Sequence, residues 1–299
     1  MEAVEASGTD TNGDLSASNS RFPVEVWERV IDFIAMTLGP DYVNIKRDPN
    51  WSTLRSCALV CRDWYYLTLY HLFQDIQLRG RKQLVALYKT LQERPHFRKG
   101  VRHVAISGAS LAERRPVQHL GTFAAMFAGK LPNASIFAIK YALWTVGSVP
   151  IKGIRCLAAY PSVHTLYIDN VTLSSVAQLA HLVSVLPGLR RLWCKKVDCL
   201  QDKPVSPATF PLNCSRLESL SVRWVAPAVE DMFVRIGEAC RVRDLTIAVD
   251  DESRQSSGAS RSQTLLDTSA ASLQWIQVFI NVAPSLNKDL VDAVIGKSH

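Results

Sequence analysis

From Lys99 onward the apolar residues keep returning to one register. Counted from a turn-like start, they stand at offsets two, five and seven. Lys99 leads to Val101, Val104 and Ile106; Pro132 to Ala134, Phe137 and Ile139; Pro161 to Val163, Leu166 and Ile168; Pro187 to Leu189, Leu192 and Cys194. Ser215 then leads to Leu217, Leu220 and Val222; Cys240 to Val242, Leu245 and Ile247; Ala271 to Leu273, Ile276 and Val278. The middle positions are separated by 33, 29, 26, 28, 25 and 31 residues, and Ile76 lies 28 before the first of them. Offsets five and seven share one face of a strand, so each unit predicts a short strand. The stretches between, such as 176–183 and 229–240, predict return helices. One strand and one helix cannot bury an apolar face alone. Stacked units can, as a parallel sheet on one side with helices on the other. An unrelated fold with alternating strands and helices is the competing expectation, and the sevenfold recurrence of the register favours stacking.

The residues ahead of the repeat follow a different period. From Pro23 to Ala35, Val26, Val30 and Ile34 at i, i+4 and i+8, flanked by Trp27 and Ile31, predict an amphipathic helix. Pro23 suits its first position, Glu25 favours its positive end, and Gly39-Pro40 stops it. A second helix is predicted over Ser52–Leu69, with Leu54, Cys57, Ala58, Cys61 and Trp64 at helical spacing and Leu59 and Val60 widening the stripe. His71–Leu78 ends like a short strand, Ile76 and Leu78 facing inward. Residues 1–20 are polar and are expected to be disordered. The polar run Asp250–Gln263 is expected to be an exposed loop, and Ser285–Ile295 a short capping helix.

Three blocks carry a specific resemblance: Phe22-Pro23-Val24-Glu25-Val26-Trp27 leading into the first helix, Leu59-Val60-Cys61-Arg62-Asp63-Trp64, and Leu72-Phe73-Gln74-Asp75-Ile76. In that order they resemble an F-box, with Phe22 where the family usually has Leu and a longer connection over 36–51. The repeat behind them is similar to leucine-rich repeats in long, irregular form. The Asn that closes a regular repeat is mostly missing: Asn170 is close to that place, and Lys196 and Trp224 hold similar ones. The expected fold is α+β: a small helical F-box over 21–80, followed over 98–299 by an α/β leucine-rich-repeat-like solenoid with a parallel sheet.

Charge and chemistry narrow the picture only a little. The net charge is +7; the first twenty residues contribute −4 (Glu2, Glu5, Asp10, Asp14), which leaves +11 on the remainder. That excess favours acidic partners but is not gathered into a basic run, so nucleic-acid binding ranks last. Seven scattered cysteines with no knuckle or redox spacing read as reduced, mostly buried thiols. No stretch approaches the ~20 apolar residues of a membrane span, and the N-terminus lacks a secretory signal, so a cytoplasmic or nuclear location is expected, away from membranes. No nucleophile elbow, phosphate loop, dinucleotide motif or zinc motif is present, and the histidines lack ligand spacing. No catalytic residue, metal or cofactor is therefore expected.

The resemblance implies a function without catalysis in this chain. An F-box docks on a Skp-type adaptor hung from a cullin scaffold, and the body behind it captures a protein substrate for ubiquitin transfer. Phe22, Pro23, Val26, Trp27, Val30, Ile31, Leu54, Cys57, Val60 and Trp64 match the family's apolar positions. Alternation points the residues at offsets six and eight to the opposite sheet face, where Tyr167, Trp193, Lys195 and Arg223 become neighbours and candidate target contacts. A repeat scaffold without any ligase role is the alternative.

Overall fold

The computed structural model describes residues 23–37, 49–108, 114–145, 147–201, 214–250 and 261–281. The chain divides into two compact units, Met1–Leu69 and Tyr70–His299. Phe22, the tail over 1–20, the connection over 38–48 and the expected capping helix Ser285–Ile295 lie outside the described residues.

The first unit is helical. Helix α1 spans Val24–Met36. Pro23 stands just before it in extended conformation, and its carbonyl accepts the Val26 N–H at 3.0 Å. Proline's fixed φ and missing N–H cost nothing there, and Glu25 meets the positive end of the helix. The single helix expected over 52–69 is in fact two: α2 (Pro49–Cys57) and α3 (Arg62–Leu72). Helical bonding tightens after Ala58, where Leu59 N–H donates to Ser56 and Val60 N–H to Cys57, and the chain turns there. Asp63 then supports the positive end of α3, whose last residues run into the second unit.

The second unit is built on a nine-stranded sheet that does not close. Its strands are β1 (Asp75–Leu78), β2 (His103–Ser107), β3 (Arg115–Pro116), β4 (Ile136–Trp144), β5 (Thr165–Ser175), β6 (Arg191–Gln201), β7 (Ser219–Arg223), β8 (Asp244–Asp250) and β9 (Trp275–Asn281). They pair in chain order, every pair parallel, with β3 a short extra strand on β4. Parallel neighbours need a long crossover. The chain supplies helices there, among them α4 (Arg81–Glu93), α5 (His119–Met126), α6 (Ile151–Arg155), α7 (Val176–Val185), α8 (Pro227–Ala239) and α9 (Arg261–Ser269). Helix α7 packs on β5, α8 on β6 and β7, and α9 on β8, while α4 to α9 touch one another in chain order. The result is two layers, strands on one side and helices on the other.

The register follows the sequence pattern residue by residue. Ile76, Val104, Phe137, Leu166, Leu192, Leu220, Leu245 and Ile276 form one continuous row across eight strands. Leu78, Ile106, Ile139, Ile168, Cys194, Val222, Ile247 and Val278 form the next. Both rows are buried from β1 to β8. On β9 the same positions stand open, with Ile276 44% and Val278 46% exposed. Strand β1, which closes the F-box-like segment in sequence, heads the sheet.

At offset nine, Tyr141, Asn170, Lys196 and Trp224 all adopt a left-handed backbone with φ between 49° and 55°. One residue leaves the ladder in β4, β5 and β6, and pairing resumes at Ala142, Val171 and Val197, all fully buried. A left-handed step costs a residue with a Cβ about 1–2 kcal/mol. It recurs in four successive units, inside β4, β5 and β6 and just after the end of β7. Of the polar run Asp250–Gln263, expected as a loop, 251–260 lies outside the described residues; Asp250 ends β8 and Arg261–Gln263 is helical rather than loop. Among the described residues no helix is long and apolar enough to cross a membrane.

Candidate functional site

The first unit sorts the F-box-like residues into two groups. Ile31 and Leu54 are buried, at 1% and 0% exposure. Trp27 and Trp64 are half-buried and pack on each other, ring centroids 4.9 Å apart. Cys57 is half-buried, and burial raises its thiol pKa. These residues hold the unit together. Val26 and Val30, each 41% exposed, and Val60, 62% exposed, face outward, as does Pro23.

The outward group is larger than the sequence pattern suggested. Phe33 is 68% and Met36 81% exposed, while Leu59 projects from the turn between α2 and α3 beside Val60 in sequence. Val26, Val30 and Phe33 stand at i, i+4 and i+7, one line along α1. The alternative spacing through Ile34 is equally helical, but Ile34 is half-buried and lies off that line. The unit thus displays an apolar row on a short amphipathic helix, with its own packing met by the tryptophan pair and the two buried aliphatics.

The second surface is the sheet face opposite the helices. The pairing places Ala105, Ala138, Tyr167, Trp193 and Ser221 in one row and Ser107, Lys140, Asp169, Lys195 and Arg223 in the next. Tyr167 is buried at 4%, in a small cluster with Ala105 and Ala138, and Trp193 packs on it at 5.9 Å in a near edge-on contact. Trp193, Lys195 and Arg223 are half-buried. Of the four candidate target contacts, these three keep surface for a partner, and Tyr167 supports Trp193 from beneath.

Charge in the second row alternates and then accumulates. Asp169 is buried at 3%. Burial raises its carboxyl pKa, opposed by Lys195, Lys140, Lys196 and Arg223. Tyr141 is pushed up to about 12 by burial and by the nearby Asp169 charge. The cations also lie over rings: Lys140 Nζ is 5.5 Å from the Tyr167 ring, Lys195 Nζ 5.9 Å from Trp224, and Arg223 4.8 Å from Phe279. Arg114, ahead of β3, ties the strands beyond the left-handed step. It donates to Asn170 Oδ1 at 3.0 and 2.6 Å and to Asp198 at 2.6 Å, and also reaches Thr172. A half-exposed tryptophan beside two partly buried cations has the composition of a binding anchor for an acidic or aromatic partner.

Set against models of known protein families and against curated proteins, the chain matches none. The F-box and leucine-rich-repeat resemblances rest on the residues quoted for them.

Proposed function

We propose that this chain is the substrate-recognition subunit of a Skp–cullin–F-box type ubiquitin ligase. Its first unit docks on a Skp-type adaptor, and its sheet unit, read as a leucine-rich-repeat-like solenoid, captures the target protein. The observation that carries the reading is the outward apolar row Val26, Val30 and Phe33 on a helix whose neighbouring residues, Trp27 and Ile31, already satisfy the packing of the unit. Exposed apolar residues in line on one short helix suit a helix-in-groove contact. The order of the three F-box-like blocks names the partner class. The sheet's regular register supports the repeat reading, and Trp193 with Lys195 and Arg223 supplies the target anchor. Ubiquitin transfer then follows from tethering: target and loaded ubiquitin share one assembly, which raises their effective concentration with no catalytic group required here.

Co-expression of the full chain with a Skp-type adaptor tests this reading. The wild-type chain is expected to retain adaptor through affinity capture. Val30→Asp with Phe33→Asp is expected to lose it while the circular dichroism spectrum stays unchanged. Trp27→Ala is the wrong probe, because Trp27 packs on Trp64 and its loss unsettles the unit itself. A wild-type chain that never retains adaptor points to a repeat scaffold outside any ligase.

A further inference from the structure

A cavity of about 790 Å³ opens where β5, β6 and β7 begin, and its wall is mostly polar. Ser162 and His164 come from the turn into β5, Arg190 and Arg191 from the start of β6, and Arg216 and Glu218 from the turn into β7. The repeat register brings them together. His164, Arg190 and Glu218 hold offset three in consecutive units. The Arg190 and Arg191 N–H groups both donate to the His164 carbonyl, at 2.8 and 2.9 Å, and the Glu218 and Ser219 N–H groups to the Arg190 carbonyl, at 2.8 and 3.1 Å. The floor is tightly built: a Cβ at Gly188 would fall 2.3 Å from the Pro161 carbonyl oxygen, so the two turns meet backbone to backbone.

Three guanidiniums face one carboxylate here, and they are little used by the fold. Among the described residues, Arg190 and Arg191 make no ion pair and no side-chain hydrogen bond, and both are exposed. Arg216 gives one bond to the Pro187 carbonyl at 3.2 Å and keeps its other donors. His164 shares its Nδ1 with the Thr165 hydroxyl at 2.9 Å. Partial burial and then the charges of Arg191 and Arg190 lower its pKa. Converging guanidiniums repel one another unless an anion joins them, and their planar forks match tetrahedral oxyanions.

We propose that this cup is a binding site for a phosphate-class dianion, gripped by Arg190, Arg191 and Arg216. The size of the cup leaves room for the group that bears the phosphate. The proposal does not depend on the adaptor reading, since every residue in it belongs to the sheet unit.

Titration of the full chain at about 0.15 M salt tests it, with four probes: inorganic phosphate, a short phosphoserine peptide, the same peptide unphosphorylated, and a single-stranded oligonucleotide. Saturable binding of phosphate or phosphopeptide is expected, with mutual competition, weakened about tenfold or more by Arg190→Glu with Arg191→Glu and unchanged by Lys152→Glu, a control on the exposed face of α6. A phosphopeptide that binds tighter than phosphate assigns a protein-borne group; equal affinities assign the free anion. Arg216→Glu provides the same readout should the double variant lose its fold. The proposal is overturned by absence of saturable binding to either phosphate probe, by equal binding of the unphosphorylated peptide, by indifference to the arginine changes, or by an oligonucleotide that outbinds both.

Discussion

Leu166 and Ile276 hold the same place in the repeat and opposite places in the sheet, so replacing each by Ala measures how far the apolar row is one continuous core. Both changes remove about three carbons, worth roughly 2.4 kcal/mol of transfer free energy at ~0.8 kcal/mol per buried methylene. Leu166 is 0% exposed, with Phe137 and Leu192 paired on either side. Its site cannot collapse, so a cavity cost adds to the transfer cost, for a total of about 3–5 kcal/mol. Ile276 is 44% exposed on the last strand. Only the covered half or so of the transfer cost applies and no closed cavity forms, which gives about 1–1.5 kcal/mol. Guanidinium denaturation followed by circular dichroism reads both, through the change in midpoint at constant slope. A gap of about 1.5 kcal/mol or more is expected. Equal costs would refute the reasoning, because they would mean that the row is covered as well at its end as at its centre.

Asp169→Asn tests the buried charge row through pH. Burial outweighs four cations and leaves the Asp169 carboxyl with a raised pKa. Such a group holds its proton more tightly folded than unfolded, so its stabilising contribution is complete below the ordinary carboxylate range and is lost as pH rises through the raised value. Wild type is therefore expected to lose stability relative to Asp169→Asn as pH rises out of the ordinary carboxylate range, in denaturation curves at each pH; a relative gain would show that the lysines win. The left-handed step is tested at Lys196, an exposed residue with φ 52°. Lys196→Gly is expected to be tolerated and Lys196→Val to cost more than about 1 kcal/mol, and the reverse order in melting temperature would contradict the backbone assignment.

The sheet was legible in the sequence because one strand face is apolar in every unit, and parallel pairing turns sequence offset directly into register. Ile76 joined the row for the same reason, despite lying inside the F-box-like block. What sits on the opposite face was less legible. Alternation sends Tyr167 there but does not say that strands about 4.8 Å apart let Trp193, Ala138 and Ala105 close over a ring. The break between α2 and α3 was hidden because Leu59 and Val60 fit an apolar stripe; in the folded unit they project from a turn. The same ambiguity obscured Phe33, since i+7 and i+8 both continue a helical face and only packing distinguishes them. Cysteine burial was overestimated: Cys194 and Cys214 are buried, Cys61 is exposed and the other four are half-buried. The left-handed residues carry no common side chain, so only the recurrent place near Asn170, Lys196 and Trp224 hinted at a special position. The arginine cup could not be read from runs of charge, because its members are gathered from the entries to three successive strands.

The claim that the outward row on α1 is covered by another protein is tested most directly at Phe33. About 68% of its surface is exposed, on the order of 140 Å² for a phenylalanine, which would supply about 3.5 kcal/mol if fully covered. Part of that is offset by the cost of association, leaving a loss of at least about tenfold in affinity as the expectation for Phe33→Ala. Calorimetric titration of the full chain with purified Skp-type adaptor should give one-to-one binding that weakens by this amount while the unfolding midpoint holds. No saturable binding, or equal binding by wild type and variant, would contradict the account.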